Sequence, residues 1–138
     1  MNKICGIDIS GNHAVLLLVE GTKEAFSIVE TRPLKIELSD HSSSDHIKEF
    51  YKAVHTYFAE NKIEHVAFKS GSTGRFKSGP AVFKMEALIQ MCDIQVAMVK
   101  PQTLTAFWKK NGPSFDHLGL KKYQENAFKV GYYFLGDQ

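Results

Sequence analysis

The sequence predicts an α/β fold in which helices cover a mixed five-stranded sheet. Short apolar runs joined by tight turns open the chain, which predicts an antiparallel meander of three strands. Two later runs of strand length each follow a segment with helical periodicity, and strands connected through helices pair in parallel. With 138 residues, of which 43% are hydrophobic, the chain has the size and apolar content of a single domain over 1–138.

The meander begins with a run over 4–10 that is apolar around one carboxylate, Asp8. A Ser-Gly-Asn turn joins this run to a second strand over 14–19. The third strand is predicted over 25–38, where apolar and polar residues alternate, and Pro33 breaks or bends it. These turns place an acidic side chain at the end of the first strand.

Asp8 has two interpretations. An ionised carboxylate within an apolar strand is costly unless it is paired, hydrated or bound to a metal, so its position indicates a site. Alternatively, Asp8 lies just past the strand end and caps the turn with its side chain, as Asp often does.

Helices and strands alternate in the rest of the chain. Ser43 and the polar residues around it provide helix-start chemistry, and apolar residues at helical spacing predict a helix up to Asn61. The remaining elements are predicted as a strand over 64–68, a helix over 81–91, a strand over 94–99, a short helix over 103–110 and a last helix over 118–135.

The charge is unevenly distributed. Residues 1–60 hold six basic and nine acidic side chains, whereas 61–138 hold eleven basic and six acidic ones. Any anionic partner, DNA or RNA included, is therefore expected to bind the second half. No apolar run approaches the roughly 18–20 residues that span a bilayer, and the first strand leaves no room for a leader, so we expect a cytoplasmic protein without membrane contact.

The stretch 69–80 is the only one rich in Gly and Ser, and it carries basic residues without an acid between them. Backbone N–H groups of such a loop approach a phosphate closely, so the loop predicts contacts with a nucleic-acid backbone. An ordinary solvated loop remains the alternative. The candidate nucleic-acid-binding residues are Ser10, Lys69, Arg75, Lys77 and Lys84. Trp108, beside two lysines, is compatible with base stacking or with a place in the core.

The order of elements resembles the ribonuclease H-like superfamily, and especially the RuvC-type Holliday junction resolvases. Gly6-Ile-Asp-Ile-Ser10 resembles the Gly-Ile-Asp-Pro-Gly strand end of resolvases. Phe83-Lys-Met-Glu-Ala87 is similar to the helix after their fourth strand, and Gln124-Glu-Asn-Ala127 occupies the place of the start of their last helix. The layout also resembles a small, uncharacterised bacterial family, which implies no function.

The resemblance implies a nuclease site in which several carboxylates hold two divalent ions, with Asp8 as a metal ligand. This chain departs from that pattern, since Lys69 stands where a resolvase has Glu, and Tyr123 and Asn126 stand at two acidic positions. We expect Lys69 to pair with Asp8 or to share a hydrogen-bonding site with Glu86. The weaker candidates for catalysis are Glu86, Asp116 and Glu125.

The leading functional hypothesis is a nucleic-acid-associated binding or accessory domain of resolvase-like ancestry, with its catalytic carboxylates largely lost and no cofactor. One alternative is an active nuclease that uses Mg²⁺. Another is half of an actin-like nucleotide-binding protein, because those proteins also begin with a strand, a Gly-x-Asp-x-Gly-type turn and a second strand. A protein-interaction module and a homodimer stay open.

Overall fold

A computed structural model describes residues 2–71 and 78–136 of the chain. The strands are β1 (Lys3–Ser10), β2 (His13–Gly21), β3 (Phe26–Val29), β4 (Lys35–Glu37), β5 (His65–Lys69) and β6 (Gln95–Val99). The helices are α1 (Ser44–Glu60), α2 (Pro80–Gln90), α3 (Pro101–Asn111) and α4 (Glu125–Phe134). Two single 3₁₀ turns, Asp116–Leu118 and Lys122–Gln124, precede α4.

These strands form one mixed sheet in the order β3-β2-β1-β5-β6, with β4 also paired to β2. Strands β1 to β4 pair antiparallel, whereas β5 lies parallel to β1 and β6 lies parallel to β5. The predicted mixed α/β sheet flanked by helices is therefore confirmed, including the parallel strand laid beside the first. The described residues form six strands, however, where five were predicted.

The additional strand comes from the predicted third strand, which is divided in two. β3 pairs with the end of β2 near Gly21, and β4 pairs with its beginning near His13, so both lie along one edge of β2. The strand is interrupted between β3 and β4, around Pro33, because proline has no N–H to donate to the hydrogen bonds between strands. Leu34 keeps one backbone contact, since its carbonyl accepts from the N–H of Leu16 at 2.9 Å.

Alternation of side chains along the strands gives the sheet two apolar faces. On one face, Leu16 and Phe68 pack with α1 and α2, whose buried residues include Val54 and Met85. On the other face, Val15, Leu17 and Val19 pack with α4, and a further cluster joins Ala67 to α3 and α4. The sheet is thus the middle layer between two layers of helices.

The predicted start of α1 is confirmed, since the Ser43 side chain accepts a hydrogen bond from the N–H of His46 at 3.3 Å. The predicted start of the last helix at 118 is wrong. Gly119 has a φ of 71° and Lys121 is extended, so the chain cannot continue as a helix there. The α-helix begins at Glu125 after a turn in which the Gln124 side chain accepts from the N–H of Lys121 at 2.9 Å.

Within the described parts of the chain, no helix combines the length and apolarity that crossing a membrane requires.

Candidate functional site

The candidate site lies where the parallel strands β1 and β5 end. Ile7 pairs with Phe68, so the next residues along the two strands, Asp8 and Lys69, are neighbours in the register. Their side chains point away from the face that buries Ile7 and Phe68 and toward the face covered by α4. A Cβ on Gly6 would lie 2.0 Å from the carbonyl oxygen of Ala127, so α4 passes directly over β1.

The Asp8 carboxyl is half-buried at this point, and burial raises its pKa above the ordinary value. The charge of Lys69 acts in the opposite direction, as do a hydrogen bond with the Asn126 side chain and the charge of His13. The structure therefore brings Asp8, Lys69 and Asn126 together. The predicted interaction of Lys69 with Asp8 takes the form of a charge effect on the carboxylate.

These three side chains line a cavity of about 520 Å³, the edge cavity, together with Ser10 and Gly71. A second cavity of about 480 Å³, the aromatic pocket, adjoins it and shares its Lys69, Pro101 and Asn126 walls. The aromatic pocket lies between α3 and α4. Its remaining lining includes Leu104, Trp108, Lys109, Phe115 and Lys129.

Three lysines thus line the two cavities, while Asp8 is the only carboxylate among the described lining residues. The ammonium of Lys129 lies 5.8 Å from the ring centroid of Trp108 and 5.7 Å from that of Phe115, within the range of cation–π attraction. This arrangement attracts anions, because three lysines outnumber the single carboxylate of Asp8. Burial also raises the pKa of Asp8, which disfavours its negative charge.

Glu86 lies on α2 and is 7% exposed. Its carboxylate accepts a hydrogen bond from the N–H of Gly71 at 2.5 Å, just after β5 ends. Burial raises the pKa of Glu86, while the Gly71 hydrogen bond lowers it. Lys69 and Glu86 were expected to share a hydrogen-bonding site. The Glu86 carboxylate instead binds the backbone N–H of Gly71, in the segment that follows β5.

Other predicted site residues lie elsewhere. The ammonium of Lys84 donates to the carbonyl oxygen of His41 at 2.6 Å and lies 3.2 Å from its Nδ1, so it joins α2 to the segment before α1. Asp116 is exposed in a 3₁₀ turn, and Glu125 is the half-buried first residue of α4. Neither acid lines the edge cavity or is among the groups that shift the pKa of Asp8.

Two predicted phosphate-binding residues, Arg75 and Lys77, lie outside the described residues. Over 2–71 and 78–136, no three His, Cys, Asp or Glu side chains lie close enough together to hold a metal ion. The four predicted acidic candidates, Asp8, Glu86, Asp116 and Glu125, therefore do not converge.

Sequence reasoning missed Lys129, which lines the aromatic pocket. A signal for it existed, because residues three apart share a helix face and Lys129 follows Asn126 by three. Lys109, one of the two lysines that follow Trp108 in the sequence, also lines this pocket. No sequence pattern indicates the role of Glu86, because its partner Gly71 is 15 positions away and offers only a backbone N–H.

A family model described as "Protein of unknown function (DUF3010)" matches residues 1–134. No curated protein matches the chain significantly.

Among solved structures, Thermus thermophilus RuvC in complex with a Holliday junction substrate is similar, with a TM-score of 0.67 and 14% identity over 96% of this chain and 92% of that chain. A second Thermus thermophilus RuvC structure gives a TM-score of 0.66 and 14% identity over 94% and 91% of the two chains. The Aquifex aeolicus PPX-GPPA enzyme gives 0.48 and 19% over 82% and 42%. The RuvC similarities show that the fold is ribonuclease H-like.

Proposed function

The chain belongs to the DUF3010 family, and we propose that it is a nucleic-acid-binding accessory domain of resolvase-like ancestry that has largely lost its catalytic carboxylates. The single observation that supports this function is the charge of the two adjoining cavities. Lys69, Lys109 and Lys129 line them, against the one carboxylate of Asp8. A nucleic-acid backbone carries a negative charge on every phosphate, and lysines that neutralise phosphates account for most sequence-independent affinity.

Positions of the lysines favour a chain-like anion over a single small one. Lys69 lies at the wall that the edge cavity and the aromatic pocket share, whereas Lys109 and Lys129 lie in the aromatic pocket alone. A ligand with several consecutive phosphates can contact more than one of them. Ser10, at the end of β1 and exposed, adds a hydroxyl donor to the lining of the edge cavity.

The chemistry around Asp8 opposes two-metal catalysis. Two dications about 4 Å apart need several hard, negatively charged oxygen ligands to offset their mutual repulsion. Asp8 instead faces the Lys69 ammonium, which repels a dication, and the neutral amide of Asn126. No trio of potential metal ligands occurs over the described ranges. We therefore propose binding without cleavage.

Binding is tested by fluorescence anisotropy with a labelled oligonucleotide, first at low salt and then at increasing salt. Lys69→Ala, Lys109→Ala and Lys129→Ala should each weaken binding several-fold and reduce the slope of log affinity against log salt by about 0.7–0.9. Lys48→Ala, at an exposed position of α1, is the matched control and should behave as wild type. Absence of binding at low salt, or equal losses in all four variants, would contradict the proposal.

Absence of cleavage is tested separately with Mg²⁺ on branched and single-stranded DNA and RNA. Wild type and Asp8→Ala should both leave the substrates intact. Cleavage by wild type that disappears in Asp8→Ala would establish the nuclease alternative instead.

A further inference from the structure

The aromatic pocket has the size of a small-molecule site. Its volume of about 480 Å³ falls within the roughly 300–1,000 Å³ that is usual for ligand cavities. Leu104 and Trp108 of α3 form one apolar part of its wall, and Phe115 forms another. Such a wall fits a flat apolar group.

Charges around this pocket select the kind of molecule that carries the flat group. Lys69, Lys109 and Lys129 line it, and its described lining contains neither Asp nor Glu. Asn126 adds an amide at the boundary with the edge cavity. The complementary ligand is therefore an anion with an aromatic body, and a nucleotide, with its planar base and its phosphate, has this chemistry.

The pocket wall is held in place before any ligand arrives. The indole Nε1 of Trp108 donates to the carbonyl oxygen of Lys129 at 3.3 Å, which fixes α3 against α4. Gly112 lies so close to the indole that a Cβ there would be 2.0 Å from Cε3 of Trp108. A wall fixed in this way loses little conformational entropy when it binds.

We propose that the aromatic pocket takes one unstacked base of a single nucleic-acid strand together with its phosphate, and that the strand continues past Lys69 into the edge cavity. This inference rests on the proposed nucleic-acid binding and names its substrate class. The shared wall of Lys69, Pro101 and Asn126 makes the two cavities adjacent, as consecutive nucleotides of a strand are. A duplex must unpair and unstack a base to occupy the pocket, whereas a single strand offers one freely. The chain therefore prefers single strands.

Trp108 makes the test direct, because it is the only tryptophan of the chain and it lines the pocket. The probes are a thymidine strand of about 12 nucleotides, an abasic strand of equal length and a blunt duplex of equal length. Anisotropy measures binding, and intrinsic fluorescence reports occupancy of the pocket. The thymidine strand should change the Trp108 emission and bind about tenfold more tightly than either the abasic strand or the duplex.

Two variants on one helix provide the matched comparison. Thr105→Glu places a carboxylate in the pocket, whereas Thr103→Glu places one on an exposed part of α3 that does not line it. Thr105→Glu should weaken binding of the thymidine strand by about tenfold or more and Thr103→Glu by much less, with both circular dichroism spectra unchanged.

The possible failures are distinguishable. Binding of all three probes with equal affinity and unchanged Trp108 emission would overturn the base pocket and leave the proposed nucleic-acid binding intact. Equal effects of the two threonine variants would also overturn it. Absence of binding of every probe at low salt would overturn both proposals.

Discussion

The surroundings of Asp8 have opposing effects on the pKa of its carboxyl. Burial raises its pKa, and the Lys69 ammonium and the Asn126 side chain reduce that rise without cancelling it. A carboxyl with a raised pKa in the folded state binds its proton more tightly there than in the unfolded chain. The contribution of Asp8 to stability is therefore greatest below the pKa that Asp8 has in the unfolded chain. It is lost as the pH rises through the pKa that Asp8 has in the folded state.

Asp8→Asn removes this cost of ionisation while it keeps the size of the side chain. We expect a melting temperature above wild type at pH 7, with the difference disappearing in acid, where both side chains are neutral. Thermal denaturation at the two pH values measures it. Asp116→Asn, at an exposed turn position, is the control. An Asp8→Asn variant that is less stable than wild type at pH 7 would contradict the assignment.

Glu86 acts on the backbone of the chain that leaves β5. Glu86→Ala removes the acceptor of the Gly71 N–H and should lower the free energy of unfolding by about 1–3 kcal/mol. Glu86→Gln keeps an acceptor oxygen and removes the ionisation that burial disfavours. It should therefore match or exceed wild type at pH values above the raised pKa, where the ionised Glu86 costs the folded state stability. Urea denaturation compares the three proteins, and equal losses in both variants would argue against this role.

At the residue scale, the sequence predicts the strand-end neighbours better than the residues that meet them from elsewhere. Asp8 and Lys69 follow from two apolar strands and the rule that consecutive parallel strands end at one edge. The convergence of Glu86, Asp116 and Glu125 does not occur, because composition and spacing do not say which way a side chain faces or which backbone group it meets.

At the scale of elements, β1 and α4 are in backbone contact. Gly6 faces Ala127 and Gly131, and a Cβ on Gly6 would lie 2.0 Å from the Ala127 oxygen and 2.9 Å from the Gly131 nitrogen. Backbone atoms on both sides cannot move aside as a flexible side chain does. Glycine at position 6 is therefore required by the packing of α4 on the sheet.

Gly6→Ala should lower the melting temperature by about 10 °C, because α4 must shift away from β1. Gly79→Ala is the matched control, since a Cβ at that position meets nothing within 4 Å, and it should stay within about 2 °C of wild type. Differential scanning calorimetry measures both. A Gly6→Ala protein with wild-type stability would show that this backbone contact is absent.

Element boundaries were predictable where local chemistry sets them. The Ser43 cap starts α1 and Lys69 ends β5, as the sequence indicates. The last helix was predicted too long because apolar residues at helical spacing continue before it, while Gly119 adopts a positive φ and Lys121 an extended conformation that end the periodic pattern. The division of the third strand depends on pairing with β2, which is a tertiary contact.

At the scale of the molecule, the sheet carries an apolar core on each face, and the same strands contribute to both. Leu16 and Leu18 face α1 and α2, while Val15 and Leu17 face α4. Unfolding of the sheet on one face therefore also disrupts the core on the other face. Chains below about 150 residues with such shared packing usually unfold in one step.

We therefore expect one cooperative unfolding transition for the whole chain of 138 residues. Far-ultraviolet circular dichroism follows all helices, and Trp108 emission follows the α3 and α4 side. The two signals should give the same midpoint in urea. Separate midpoints would show that the chain contains two independently folding parts, against the single domain that the sequence predicts.

Close contact between Gly6 and Gly131 also bears on how such a site can change over evolutionary time. Gly6 is two positions before Asp8 on β1, and Gly131 is five positions after Asn126 on α4. The backbone contact of the two glycines therefore fixes the distance between β1 and α4 near the site. The groups at positions 8, 69 and 126 can be exchanged without altering that spacing. Substitutions at these three positions are therefore expected to change the chemistry of the cleft while the contact between β1 and α4 keeps its shape.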